Sequence, residues 1–383
     1  MIYLDNGATT FPKPMCVTES VINAIKYSGG SPGRGGHKSA VKAGETVYKT
    51  REAIAGMFSC ESDGVVFTDN CTTALNTAIK GVCTKGDRIL TSTLEHNSVL
   101  RPLEKLSEKG IISYETVKVN PLCENETVDH FRSAMKTKTK AVVCTVASNV
   151  FGTVLPIEKI GKLCRENDVI FIVDGAQAAG TLKIDMKKMN IDILCLPGHK
   201  GLYGPMGTGL MLLSGRIMPE ELTQGGTGSF SMNRRQPELI PDRYESGTLN
   251  YPGITGLYSG VGFIRSCGGE SAIHRKESEL VDVLASDLSV IKGVKLYSDM
   301  KPQLCAPILS FNIADYHSEE IAAALDKYGF AVRGGYHCAY LAHKNYGTAE
   351  QGCVRVTPGY FNSKKDIKNF VFYCNKIALG KNL

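Results

Sequence analysis

Residues 169–180, VIFIVDGAQAAG, and 192–205, DILCLPGHKGLYGP, decide the fold. Each opens on a short, unbroken apolar run and closes on a polar, glycine-containing turn. The runs are too short for buried helices and do not alternate polar with apolar residues. They therefore predict strands buried on both faces. The unit recurs upstream. DGVVFTDN (63–70) is a short strand followed by CTTALNTAIKGV (71–82) with helical spacing. DRILTSTLEHNS (87–98) and KAVVCTVASNVFGT (140–153) are strands with polar exits, and PIEKIGKLCREND (156–168) is an amphipathic helix opened by Pro156. GTGLMLLS (207–214) adds one more strand. Strands alternating with helices give an α/β fold with a mostly parallel sheet covered on both sides.

The pattern changes at 225–256, a long loop rich in Gly, Pro and polar residues. A helical stretch is expected over 257–290. An α+β segment follows: APILSFNIA (306–314) as strand, SEEIAAALDKYG (318–329) as helix, FAVRGG (330–335) and GCVRVTPGY (352–360) as strands, and SKKDIKNFVFYCNKIA (363–378) as helix.

The chain has 383 residues, with 44 Lys and Arg against 38 Asp and Glu, and the net charge of +6 is dispersed. Such a balance favours small anionic ligands over nucleic acid, whose binders concentrate basic residues on one face. No run approaches the ~18 apolar residues of a membrane helix. MIYLDNGATT lacks the basic and apolar parts of a leader. A cytoplasmic protein without membrane or nucleic-acid partners is expected. Thirteen cysteines with no CxxC pair fit neither a disulfide framework nor a zinc ribbon. Cys144, Cys164 and Cys195 lie in apolar patterns and read as core residues.

Cys338 is different. In AVRGGYHCAYLAH (331–343) it follows two glycines and a histidine, close to Arg333. A reactive thiol is exposed and partly ionised. Gly334 and Gly335 would give it mobility, and His337 and Arg333 would favour its thiolate. His337, Cys338, His343 and Cys353 can also be read as zinc ligands, but their spacing fits no common zinc pattern, and no metal is expected.

Thr72–Thr73, Glu95–His96, Ser148–Asn149, Asp174–Gln177 and His199–Lys200 all follow predicted strands, where open α/β sheets bind ligands. No GxGxxG follows the first strand, and GVCTKGDR (81–88) lacks the Lys-Ser/Thr of a phosphate-binding loop, so it reads as a helix end and turn. Lys200 emerges from a buried strand, where its pKa can fall and allow a Schiff base. Asp174 ends the preceding strand. Pyridoxal phosphate needs this pair, a lysine for its aldehyde and a carboxylate for its pyridine nitrogen. NCTTALN (70–76) offers two hydroxyls and a helix N-terminus to the phosphate.

YLDNGATT (3–10), VDGAQAAG (173–180), GHKGLYGP (198–205), ESGTLNYPG (245–253), RGGYHCA (333–339) and RVTPGYFNS (355–363) together resemble the cysteine desulfurase and selenocysteine lyase family. RxGxHCA with the downstream arginine is similar to its group II, Suf-like branch. The resemblance implies a fold-type I transferase of the class V aminotransferase superfamily. It implies a large domain with a seven-stranded sheet over 15–256, and a smaller α+β domain from 1–14 and 257–383. Lys200 would form the Schiff base. Asp174 would pair with the pyridine nitrogen, Gln177 would bond the ring oxygen, and His96 would stack on the ring and handle protons. Thr72, Thr73 and His199 would hold the phosphate. Thr248 would reach the phosphate of a neighbouring subunit in a homodimer. Asn149 and Arg355 would bind the carboxylate of L-cysteine or selenocysteine. Cys338 would accept the sulfur as a persulfide and pass it to an acceptor protein. The same motifs leave open a selenocysteine lyase, another class V lyase or aminotransferase, and a sulfur-relay protein with weak turnover. The chain departs from the family at Pro197 for a serine, at CTTA for GTTE, at EHN for EHH and at GYHCAYL for GHHCAQP.

Overall fold

The computed structural model of the protein describes residues 1–33, 35–297 and 305–380. The chain enters through β1 (Ile2–Tyr3), α1 (Met15–Tyr27) and α2 (Lys38–Phe58). The apolar runs then become strands alternating with helices: β2 (Val65–Thr68), α3 (Cys71–Val82), β3 (Asp87–Ser92), α4 (Asn97–Glu108), β4 (Ile112–Val117), α5 (Glu124–Ala134), β5 (Thr139–Thr145), α6 (Ile157–Glu166), β6 (Ile170–Asp174), β7 (Ile193–Pro197) and β8 (Gly209–Leu213). These strands form one seven-stranded sheet in the order β2-β8-β7-β6-β5-β3-β4. From β7 to β4 all pairings are parallel, and β8 runs antiparallel to both β7 and β2.

Both faces of the central strands β6, β7 and β8 are buried, while the edge strand β4 is partly exposed. Phe171, Val173, Leu194 and Leu196 point into one core, and Ile170, Ile172, Ile193 and Cys195 into the other. This is why the runs are unbroken rather than alternating. Cys144, Cys164 and Cys195 are buried in these cores.

The loop expected over 225–256 instead spans 214–250, and residues 251–256 already belong to a helix. The expected single helical stretch is instead two helices, α7 (Tyr251–Ser266) and α8 (Glu270–Ser289). Gly268 and Gly269, both with positive φ, separate them. Beyond them lie β9 (Val294–Leu296), β10 (Leu309–Ile313), α9 (Ser318–Lys327), β11 (Phe330–Ala331), α10 (Tyr340–Tyr346), β12 (Val354–Val356) and α11 (Lys364–Ala378). β12, β10 and β9 make a small antiparallel sheet. β1 pairs in parallel with β11, and Leu4 joins the core formed by Phe311, Phe330 and Phe370.

Parallel register places Asp174 opposite Thr145 on one side and Cys195 on the other. The turns that leave β6 and β7 then press backbone on backbone. Gly180 has φ +83°, and a Cβ there would meet the Gly201 carbonyl oxygen at 1.9 Å. A Cβ on Gly201 would meet the Ala179 carbonyl oxygen at 2.2 Å. Neither oxygen can yield without moving a turn. Gly180→Ala is therefore expected to cost about 2–4 kcal/mol, combining left-handed strain with overpacking. Gly86→Ala, where φ is +94° but nothing lies within 4 Å, should cost only about 1–2 kcal/mol. Denaturant midpoints of the two variants test this, and equal losses would contradict it.

Candidate active site

Asp174 is 3% exposed at the end of β6. One carboxylate oxygen accepts the Ala176 N–H at 2.9 Å and the Cys71 thiol at 3.5 Å. Burial raises its proton affinity, while the Ala176 N–H, Lys200 and the Cys71 thiol oppose that rise. In the adjoining turn, burial pushes the Lys200 pKa down, helped by Arg355 and opposed by Asp174. The two groups line one cavity with Thr72, His96, Asn149, Gln177 and His199. Seven residues singled out in the sequence thus converge. Arg355 and Cys338 do not line that cavity, and Thr73 and Thr248 line a neighbouring one beside β8. The Thr73 N–H and hydroxyl are both taken by the Asn70 cap of α3.

Helix starts aim the polar side chains. His96 caps α4, its Nδ1 accepting the Ser98 N–H at 3.0 Å. The neutral ring therefore carries its hydrogen on Nε2. Ser98 Oγ lies 2.9 Å from that Nδ1 and 2.8 Å from Thr72 Oγ1, linking the starts of α3 and α4. Burial, then Lys200 and nearby arginines, hold the His96 pKa down to about 4. His199 is likewise near 4 through burial and the charges of Lys200 and Lys13.

The N-terminal segment straps the lysine turn. Thr9 Oγ1 bonds His199 Nδ1 at 3.1 Å, Thr10 Oγ1 donates to the Lys200 carbonyl at 3.1 Å, and Lys13 Nζ donates to the His199 carbonyl at 2.7 Å. Gln177 Nε2 donates to the Gly7 carbonyl at 3.0 Å. Gly7 has to be glycine, because a Cβ would lie 2.9 Å from Thr357 Oγ1 and 3.1 Å from Arg355 Cζ.

Arg355 lies on β12 of the small antiparallel sheet, and Cys338 in the loop between β11 and α10. Arg355 is buried, with one terminal nitrogen on Asp5 at 2.6 Å and the other on the Asn149 carbonyl at 2.9 Å. Its Nε and Asn149 Oδ1 are buried without a hydrogen-bond partner among the described residues. Asn149 Nδ2 donates to the His337 carbonyl at 2.7 Å, and the Asn97 N–H donates to the Cys338 carbonyl at 2.7 Å. The Cys338 loop is thereby tied to a cavity residue and to the start of α4. Its thiol is exposed, as are those of Cys16 and Cys123, which lie on α1 and just before α5.

Two expectations for this loop need correction. Gly334 and Gly335 fix the loop rather than loosening it. A Cβ on Gly334 would meet the Ser318 carbonyl oxygen at 2.4 Å, and Gly335 has φ +103° with its N–H bonded to Ser318 Oγ at 3.0 Å. His337 is buried, not beside the thiol as a cation. Burial, with Arg355 close by, keeps its pKa well below the usual histidine value. His337 and Cys338 both adopt left-handed backbone, φ 51° and 58°, the kind of local strain that clusters at functional sites.

The sequence reading passed over Cys71, Ser98, Lys13 and the strap residues Asp5, Gly7 and Thr9. Asp5, Gly7 and Thr9 lie within YLDNGATT and Cys71 within CTTA, so the motifs contained them without showing what they touch.

The sheet thus buries an aspartate and a lysine at neighbouring strand ends, in one cavity with the first turn of α3. The pattern of class-V aminotransferases matches residues 2–370, and the chain belongs to that family. It is 32% identical over 376 residues to a "Probable cysteine desulfurase" of Methanothermobacter thermautotrophicus, spanning 96% of this chain and 92% of that one. It is 30% identical to a protein of the same name from Pyrococcus abyssi, over 97% of this chain and 92% of the relative. The apo structure of a cysteine desulfurase from Thermococcus onnurineus superposes with a TM-score of 0.92 at 28% identity, covering 99% of this chain and 95% of that one.

Glu95, next to His96, is fully buried, and burial pushes its pKa up to about 8. It accepts bonds from the Ser92 hydroxyl and the Thr145 N–H. The folded state keeps this proton between about pH 4.5 and 8 while the unfolded chain releases it, so stability falls as pH rises across that window. The slope is up to about 1.4 kcal/mol per pH unit. Glu95→Gln removes the titration. Its stability relative to the wild type should therefore rise steadily from pH 5 to 8, as read by melting temperatures, and a pH-independent offset would contradict the assignment.

Proposed function

We propose that the protein is a pyridoxal 5′-phosphate-dependent cysteine desulfurase that converts L-cysteine to L-alanine and keeps the sulfur on Cys338 as a persulfide. One observation carries the reading. Lys200 and Asp174 are buried in a single cavity, and its wall residue Asn149 is hydrogen-bonded to the loop of an exposed cysteine.

The residues present fit the cofactor. Its aldehyde would be held by Lys200, its ring nitrogen by Asp174, its ring oxygen by Gln177 and its ring face by His96. Its phosphate would meet the start of α3 at Thr72, with His199 nearby. Thr73 belongs to the same helix turn, and Thr248 would serve the second subunit of a homodimer. Glu245 supports that loop by pairing with Arg51 at 2.6 Å and accepting the Phe67 N–H at 2.7 Å. Pro197 supplies no side-chain donor to this end of the cavity. When bound, the cofactor supplies an electron sink that labilises bonds at the substrate's Cα and Cβ.

The chain's own groups do the rest. Arg355 and Asn149 would bind the cysteine carboxylate, and the unpartnered Nε of Arg355 is a donor suited to it. Burial and Arg355 favour the uncharged amine of Lys200, a base able to take and return a proton at Cα. His96 offers Nε2–H, a neutral donor near the substrate sulfur. Cys338 Sγ forms an S–S bond as the substrate Cβ–S bond breaks. The thiol proton balances the alanine formed, so cysteine plus thiol gives alanine plus persulfide. Exposure of Cys338 lets an acceptor protein collect the sulfur.

We further read residues 15–256 as the cofactor domain, and 1–14 with 257–383 as the smaller domain; burial of Leu4 beside Phe330 and Phe370 supports that division. Among the described residues no helix is long and apolar enough to cross a membrane, and a cytoplasmic location is part of the proposal.

The test is Cys338→Ala assayed with cysteine. It should retain the yellow cofactor absorbance and lose sulfide release and alanine formation, followed by mass spectrometry. Undiminished turnover would refute the role of Cys338, and a keto acid as product would replace the reading with an aminotransferase.

A further inference from the structure

The spacing of His337, His343 and Cys353 matches no metal motif, yet the fold gathers them. His337 comes from the loop before α10, His343 from α10 and Cys353 from the residue before β12. All three are buried, and one ligand atom from each lies within 4.8 Å of the others. We propose that these three side chains bind one thiophilic divalent cation of the zinc class, as a clamp beneath the Cys338 loop. The proposal is independent of the desulfurase reading.

Four observations support it. First, each imidazole keeps one buried nitrogen without a hydrogen bond of good geometry, although the Tyr336 backbone also lies close to His343 and the two rings are nearly parallel, 6.0 Å apart. His337 Nε2 bonds the Arg333 carbonyl at 3.1 Å, an acceptor only, so the neutral ring presents a bare lone pair at Nδ1. His343 Nδ1 bonds Thr348 Oγ1 at 2.8 Å, leaving Nε2. The remaining nitrogens, Nδ1 of His337 and Nε2 of His343, are both buried with no hydrogen-bond partner among the described residues. Buried polar atoms normally find partners, and such pairs of exceptions call for a missing ion or water. Second, the outer nitrogens are held by a carbonyl and a hydroxyl, the kind of second contact that orients ligating histidines.

Third, the distances close. With every separation at most 4.8 Å, one point lies within about 2.8 Å of all three atoms (4.8 Å divided by the square root of three). Bonds of about 2.0–2.1 Å to nitrogen and 2.3 Å to sulfur then need shifts of under an ångström. Fourth, the donor set is selective. Two imidazoles and a thiol suit zinc and exclude calcium and magnesium, which take oxygen. Binding would release the Cys353 proton to solvent, and the thiolate would offset one cation charge beside Arg333 and Arg355. Tyr336, 41% exposed and edge-on to His343 at 5.4 Å, is the outer cover through which an ion and a fourth ligand would enter.

The site is separate from the Lys200 cavity, which none of the three residues lines. Its consequence is mechanical. His337 adjoins Cys338, so an ion joining His337 to α10 and to Cys353 would fix the position of the Cys338 loop.

The holoenzyme, stripped with a chelator, is titrated with zinc chloride against a chromophoric competitor. One equivalent per chain is expected, with zinc-edge X-ray absorption giving one sulfur and two imidazole neighbours; that spectrum needs no variant. His343→Gln and the near-isosteric Cys353→Ser, each checked for folding by circular dichroism, should weaken binding at least 100-fold. Cys338→Ala should leave it unchanged. No stoichiometric zinc in the wild type would overturn the proposal. So would binding that survives His343→Gln and Cys353→Ser, or binding lost with Cys338→Ala.

Discussion

The contact between two turns, made through Gly180 and Gly201, is the constraint on which the site depends. Parallel pairing of β6 and β7 fixes where the strands end, but strand register alone does not fix where the following side chains point. That is done where the Gly180 backbone lies against the Gly201 carbonyl, too close for any side chain. The contact sets the distance between the segment carrying Asp174 and Gln177 and the segment carrying His199 and Lys200. The N-terminal strap then locks the second turn from outside, through Thr9, Thr10 and Lys13.

Within this frame burial does the electrostatic work. The cavity and its surroundings hold Lys200, Arg355 and Arg333, with Lys13 next to His199. Removing water strengthens their mutual repulsion. The cluster relieves it by disfavouring charge on Lys200, His96 and His199, and by pairing Arg355 with Asp5. What remains is a cavity with the Asp174 carboxylate in its wall and the guanidinium groups of Arg355 and Arg333 close to Lys200. Such a site suits an anionic cofactor and an amino-acid carboxylate, and it keeps the histidines neutral so that they donate hydrogen bonds rather than compete as cations.

Much of this was legible in the sequence. Strands buried on both faces announce themselves as unbroken apolar runs, and CTTALNTAIKGV is α3 to the residue. Polar residues after strands pointed to the cavity, because strand ends are where a covered sheet opens. What depends on long-range approach was not legible. Gly334 and Gly335 look like a hinge in one dimension; only Ser318, sixteen residues before Gly334 in the chain, shows that they are a close-packed anchor. His337 sits next to an exposed cysteine in sequence yet is itself buried, with left-handed backbone at both positions. The contact of Cys71 with Asp174, across 103 residues, has no local signature. The break between α7 and α8 falls at Gly268–Gly269, inside the stretch over 257–290 that the helical spacing marks as one.

The account rests on the amine of Lys200 being the group that holds pyridoxal phosphate. Borohydride reduction of the purified enzyme, followed by proteolysis and mass spectrometry, measures this directly. The expected result is one reduced pyridoxyl phosphate per chain, on the peptide containing Lys200. A label confined to another lysine, such as Lys13, or a protein that neither carries nor takes up the cofactor, would contradict it.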